Sequence, residues 1–220
     1  MMLSPADALA WADPWLAPWW SAWGVPVSQL EAVAFVLSLI MVALNLKVSH
    51  WAWPFSVTSS LLYGVLFARS RLYGEAALQV LFVLLSLWGW WRWWQGRGTD
   101  VPALGVQCMR WPARALAVLA WAVMWPALGL LLARVTDSDV PYLDALPTAG
   151  SVVGQVLLGV KMWENWPCWL AVNLLSMALF AHKGLWLTVC LYGVFALLSA
   201  VGWRQWQHLL RGEAAPGAQP

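Results

Sequence analysis

Long apolar runs, each closed by a short cluster of charged residues, proline or glycine, recur along almost the whole chain. A bilayer-spanning helix needs about 20 mostly apolar residues. Runs near that length predict helices at 28–47, 53–69, 73–94, 114–133, 144–161, 166–182 and 184–207. The first, third, fourth and seventh runs are long and clean. The fifth is interrupted by Pro147, Gly150 and Gly154, and the second and sixth are short for a span. The pattern predicts an all-α integral membrane protein of about seven transmembrane helices. Residues 1–26 do not fit it. There Trp11, Trp15, Trp19 and Trp23 recur every fourth residue, the spacing of a helix lying on a membrane surface. Pro14 and Pro18 argue against one regular helix. Without a basic leading region the stretch does not read as a signal peptide. It is expected to form a tryptophan-rich, partly irregular interfacial segment.

Sliding the chain against itself by 113 residues superposes two stretches without a gap. Trp53-Pro54 falls on Trp166-Pro167, Leu66-Phe67-Ala68 on Leu179-Phe180-Ala181, and Leu84-Leu85-Ser86 on Leu197-Leu198-Ser199. Gly89-Trp90 with Trp93 falls on Gly202-Trp203 with Trp206. Leucine matches are cheap in any membrane protein; the Trp-Pro pair and the Gly-Trp-x-x-Trp ending are not. The repeat explains the two short spans, because both open with Trp-Pro and proline suits a first helical turn. Each unit holds three helices. One extra helix between them restores the same orientation, so the expected layout is three-plus-one-plus-three with two parallel repeats. Its parts are the N-terminal segment 1–26, a first bundle 27–95, a linker helix with its loops 96–139, a second bundle 140–208, and a disordered tail 209–220. Parallel repeats are a transporter device, with substrate bound near the midplane.

Composition reinforces the membrane assignment. Of 220 residues, 62% are hydrophobic and 10% charged, against about 25% charged in a soluble domain. Net charge is +2 with no polybasic block, which excludes nucleic acid as an expected partner. Cys108, Cys168 and Cys190 are scattered, so neither a disulfide framework nor a metal site is implied. With seven spans, Arg69, Arg71, Arg134 and Lys183 share one side, and Lys47, Arg92, Arg97, Arg110, Arg114, Lys161, Arg204 and Arg211 the other. The richer side is expected to be cytoplasmic, which places the N-terminus outside and the C-terminus inside.

Polar groups inside lipid are expensive and mark function. On the third helix Gln79, Val83, Ser86, Trp90 and Trp94 follow one face, and Tyr192 of the seventh falls on Gln79 in the repeat. Trp166, Trp169 and Asn173 form a stripe on the sixth helix, and Asn45 ends the first. Aromatic faces stack on a flat ring, and amides or a phenol pair with an amide or with ribose hydroxyls. The bland alternative is that Ser and Gln only stitch helices together, which is the preferred reading of Ser86 and Ser199. The candidate substrate site is therefore Asn45, Gln79, Trp90, Trp94, Trp166, Trp169, Asn173 and Tyr192. Glu75 and Glu164 lie near helix ends. Paired carboxylates, a HExxH motif, a phosphate loop and a nucleophile–His arrangement are all missing, so no enzyme, cofactor or metal is expected. Without an evident acidic residue mid-membrane, passive transport is the economical mechanism. A non-transporting scaffold is the rival reading.

Trp51-x-Trp53-Pro54, Leu72-Tyr73-Gly74-Glu75, Gln79 and Gly89-Trp90-Trp91-x-Trp93 resemble the first half of PnuC-type vitamin transporters. Glu164-Asn165-Trp166-x-x-Trp169-x-x-x-Asn173, Lys183-Gly184-Leu185, Tyr192 and Gly202-Trp203-x-x-Trp206 resemble the second. The resemblance spans 27–207. It implies a fold related to the SWEET sugar transporters and facilitated uptake of nicotinamide riboside across a bacterial inner membrane. It also implies a separate kinase that traps the substrate inside. Relatives carry thiamine or riboflavin, so the pocket residues would choose the vitamin. The implied partners are the small-molecule substrate and the lipid bilayer, and a homo-oligomer is compatible with both.

Overall fold

The computed structural model describes residues 9–22, 25–69, 73–95, 105–136, 140–182 and 186–212. Seven long helices occupy most of these residues: α1 (Gln29–Leu46), α2 (Ala52–Arg69), α3 (Tyr73–Gln95), α4 (Trp111–Val135), α5 (Pro141–Gly159), α6 (Asn165–His182) and α7 (Trp186–Leu210). By length and composition alone, α1 and α4 qualify as membrane spans. Local chemistry sets the starts. Ser28 caps α1, its hydroxyl accepting the Glu31 backbone N–H at 3.1 Å. Pro112 and Pro141 sit in the first turns of α4 and α5, where a missing N–H costs nothing. These prolines begin both helices three residues before the apolar runs at 114 and 144. The C-terminal end also differs from expectation, since α7 continues to Leu210; residues 213–220 of the expected tail lie outside the described residues.

One element departs from an all-α chain. After short helical turns at Ala10–Ala12 and Asp13–Leu16, Pro18–Ala22 pairs antiparallel with Val25–Ser28 in a two-stranded ribbon. Pro14 and Pro18 deny this stretch a continuous helix, while Trp and Val favour a strand. The register slips between Pro18 and Trp20, next to a residue with no N–H to give to the ladder. The four-residue tryptophan spacing therefore marks no single helix face.

The chain divides into two compact units, Met1–Trp90 and Trp91–Pro220, with the boundary inside α3. In the first unit α1 packs on α2, and α2 meets α3 where Trp53 covers Gly89. A Cβ on Gly89 would lie 2.2 Å from the Trp53 ring. The Ser56 and Ser86 hydroxyls share a buried hydrogen bond of 2.8 Å beside this contact. In the second unit α4 packs on α5, α5 on α6 and α6 on α7. Trp121 of α4 covers Gly150 of α5, Tyr142 of α5 covers Gly129 of α4, and Trp166 of α6 covers Gly202 of α7. Lipid tails are as apolar as leucine, so helices in a bilayer associate by close van der Waals fit and not by hydrophobic burial. Glycine under an indole supplies that fit.

The same details recur 113 residues apart. Gly89 beneath Trp53 corresponds to Gly202 beneath Trp166, and a Cβ on Gly202 would lie within 2.4 Å of the ring. Trp93 and Trp206 are both buried. The turn after α1 and the turn after α5 close alike. Val48 N–H donates to Asn45 O and Ser49 N–H to Leu44 O; Lys161 N–H donates to Leu158 O and Met162 N–H to Leu157 O. Both use a non-glycine residue in the left-handed region, Val48 at φ 53° and Lys161 at φ 55°. The 113-residue offset thus also matches the turn after α1 to the turn after α5, outside the stretch in which side chains match.

Candidate functional site

The aromatic–amide stripe of α6 runs along its first three turns. Trp169 leans on Gly154 of α5, whose Cβ, if present, would lie 3.1 Å from the indole. One turn on, buried Asn173 donates through Nδ2 to the Ser199 hydroxyl of α7 at 3.1 Å. Ser199 in turn donates to Phe195 O at 2.8 Å. The Phe195 ring stands edge-on to Tyr192, with centroids 6.3 Å apart, and Tyr192 stacks on Phe180 of α6 at 5.2 Å. Trp169, Asn173, Ser199 and Tyr192 thus form one continuous strip across α6 and α7. It offers flat aromatic faces, a carboxamide and hydroxyls, and no charge. Such a surface can stack on a planar ring and exchange hydrogen bonds with amides or sugar hydroxyls.

Trp166 lies deeper than a stacking platform would. Its ring is 3% exposed, covers Gly202 and meets Trp206 edge-on at 5.6 Å. Packing is its first role. Its indole N–H is nonetheless buried without a hydrogen-bond partner among the described residues, and so is Oδ1 of the neighbouring Asn165. A buried unpaired donor costs about 1–3 kcal/mol, so a group that completes these bonds would be held firmly.

The residues proposed from the first half are spread out. Asn45 is buried at the end of α1, with Nδ2 3.0 Å from the Met41 sulfur. Gln79 lies in the second turn of α3 against Gly64 of α2. Because α1 and α3 start at the same end of the first unit, Asn45 and Gln79 occupy opposite ends of it. Trp90 is half-buried, its indole N–H unpaired among the described residues. Trp94 is 59% exposed. The face of α3 that turns inward carries Ser86, Gly89 and Trp93, one position before the run ending in Trp90 and Trp94. The hydroxyls of Ser86 and Ser199 do join helices, Ser86 to Ser56 and Ser199 to Asn173.

Sequence inspection missed the polar fastening at the start of α6. Gln107 pairs with the turn before α6, accepting from Trp163 N–H at 2.8 Å and donating to Lys161 O at 3.0 Å. Glu164 accepts from Met109 N–H and from Arg114 Nε, both at 2.9 Å. The Lys161 ammonium stands 4.5 Å above the Trp93 ring, and Trp93 donates to Gly159 O at 3.1 Å. This network fixes the N-terminus of the helix that bears Trp166, Trp169 and Asn173. Its one sequence signal was an acidic residue directly before Asn-Trp-Pro. The side chain of Glu75 lies outside the described residues.

The sequence model of the nicotinamide mononucleotide transporter family matches residues 28–208. The riboflavin/roseoflavin transporter RibM of Streptomyces davaonensis is 31% identical, over 84% of this chain and 88% of its own. The nicotinamide riboside transporter PnuC of Escherichia coli is 25% identical over 84% and 87%, and that of Neisseria mucosa 26% identical over 71% and 61%. In fold, the chain resembles a crystal structure of the vitamin B3 transporter PnuC with a TM-score of 0.68, at 24% identity over 84% of this chain and 83% of that one. The chain is a membrane protein and belongs to the nicotinamide mononucleotide transporter family.

Proposed function

We propose that this protein carries nicotinamide riboside across the bacterial inner membrane by facilitated diffusion, through alternating access. The observation that carries the reading is the strip Trp169–Asn173–Ser199–Tyr192, which lies within the family match and suits a pyridine carboxamide bearing a ribose. The indole stacks on the ring, worth about 1 kcal/mol, and the Asn173 amide answers the carboxamide. Trp166, in the same unit, joins this proposed strip; of the other expected residues, Asn45, Gln79, Trp90 and Trp94, the first two lie at opposite ends of the first unit and do not meet one ligand of this size together. The layout is three-plus-one-plus-three with seven spans, the N-terminus outside and the C-terminus in the cytoplasm. The described carboxylates favour an uncoupled carrier: Glu31 and Asp144 lie in first turns, Glu164 in a loop and Asp13 before α1. A kinase inside the cell then traps the vitamin as its phosphate.

A second reading is favoured by the 31% identity to RibM, above the 25% to the Escherichia coli PnuC. Riboflavin also presents a flat ring with amide edges and a polyol. Uptake of labelled nicotinamide riboside and labelled riboflavin into proteoliposomes separates the two. Saturable uptake of the riboside, competed weakly by flavin, supports the first reading. The reverse order assigns the carrier to riboflavin, and uptake of neither defeats both.

A further inference from the structure

The first unit carries its tryptophans unevenly. The connection after α1, the start of α2 and the end of α3 hold Trp51, Trp53, Trp88 and Trp90. At the opposite end, where α1 begins and α2 finishes, the helices themselves contribute none. All the tryptophan at that end comes from the preceding segment, where Trp11, Trp15, Trp19 and Trp20 are between 56% and 65% exposed. The segment is nevertheless seated. Ala12 is fully buried, and Asp13 forms an ion pair with Arg69, the last residue of α2. It also lies outside the family match, which starts at residue 28. Four exposed indoles on a fixed scaffold would be a liability in water. At the headgroup level their apolar rings and polar N–H edges are both satisfied.

We infer that residues 9–22 form a membrane-surface anchor: the Asp13–Arg69 pair holds the ribbon level with the end of α2, and the four indoles lie among the lipid headgroups. The segment supplies the tryptophan that the first unit's helices lack at this face. Its partner is the bilayer interface, and its role is to set the depth of α1 and α2.

The test uses full-length protein in proteoliposomes. The quadruple variant Trp11→Phe, Trp15→Phe, Trp19→Phe, Trp20→Phe is compared with the wild type, so that the difference in fluorescence reports these rings alone. The expected result is that lipids brominated near the headgroup quench this difference signal at least about twofold more than lipids brominated near the chain end, as interfacial depth requires. Aqueous acrylamide should quench it weakly. Asp13→Asn, which breaks the pair without touching a ring, should reduce the headgroup-lipid quenching. Strong acrylamide quenching with no lipid effect would mean the rings face water, and overturns the inference. Shielding from both quenchers, together with a dimer that the quadruple variant loses, would assign the surface to a second copy and equally overturns it.

Discussion

Two glycines decide how closely α2 approaches α3 and α6 approaches α7. Gly89 and Gly202 lie beneath indoles with less room than a methyl group needs, 2.2 Å and 2.4 Å from the ring atoms. Alanine at either position must displace a buried tryptophan, and overpacking of this kind costs about 1–3 kcal/mol. Gly202→Ala and Gly89→Ala should each lower the unfolding temperature of the detergent-solubilised protein by about 3–10 °C. Gly193→Ala is the control. Its Cβ would find the Met177 methyl at an ordinary 3.8 Å, so thermal unfolding should not fall. Equal losses at all three positions would show that helix glycines matter here for another reason. The sequence marked these residues as the most distinctive matches of the 113-residue offset, but nothing in the pattern showed that the indole of one pair covers the glycine of the other. The site was less legible. Tryptophan serves as packing, belt and platform alike, and residue type alone could not separate buried Trp166 from exposed Trp94. Asn173 is the residue to test for substrate contact. Asn173→Ala should weaken riboside binding by about 10–100-fold in titration calorimetry, the worth of one or two amide hydrogen bonds. Ser199→Ala removes the bond to Asn173 but should cost no more than about 3-fold. Equal losses for both variants would reduce Asn173 to a helix stitch.

The helical elements followed from apolar run length and first-turn prolines, and the N-terminal ribbon did not. Pro14 and Pro18 forbid a helix without specifying what replaces it, and strand pairing over 18–28 has no alternating polar pattern to announce it. The turns after α1 and α5 were equally hidden, because helix-ending motifs of this type usually place glycine in the left-handed position, and here Val48 and Lys161 occupy it. A β-branched residue there carries strain of about 1–2 kcal/mol. Val48→Gly should relieve it and raise the unfolding temperature by a few degrees, partly offset by glycine's greater freedom in the unfolded chain. Lys161→Gly should gain less or lose, because it also removes the cation above Trp93. If Val48→Gly destabilises instead, the valine side chain contributes more by packing than its backbone costs.

At the scale of the whole molecule, the proposed uncoupled mechanism is decided by whether an ion gradient can drive uptake. Moving a solute uphill requires a charge that an ion gradient can act on, and within a membrane such a group is costly and normally acidic or basic. Among the described residues Glu31 and Asp144 sit in first turns and Glu164 is held by Arg114 and the Met109 amide. Each of these carboxylates lies at a helix end or in a turn, away from the middle of its helix. Riboside taken up by proteoliposomes should therefore stop at equal concentration inside and out, and collapsing proton or sodium gradients with ionophores should leave both rate and plateau unchanged. Preloading the vesicles with unlabelled riboside should accelerate entry of label, as expected of a carrier whose empty form must reorient. Enclosing a riboside kinase with ATP should convert the plateau into sustained accumulation, because phosphorylation removes the carried species. Accumulation above the external concentration without the kinase, abolished by an ionophore, would show a coupled pump and would return attention to carboxylates such as Glu75.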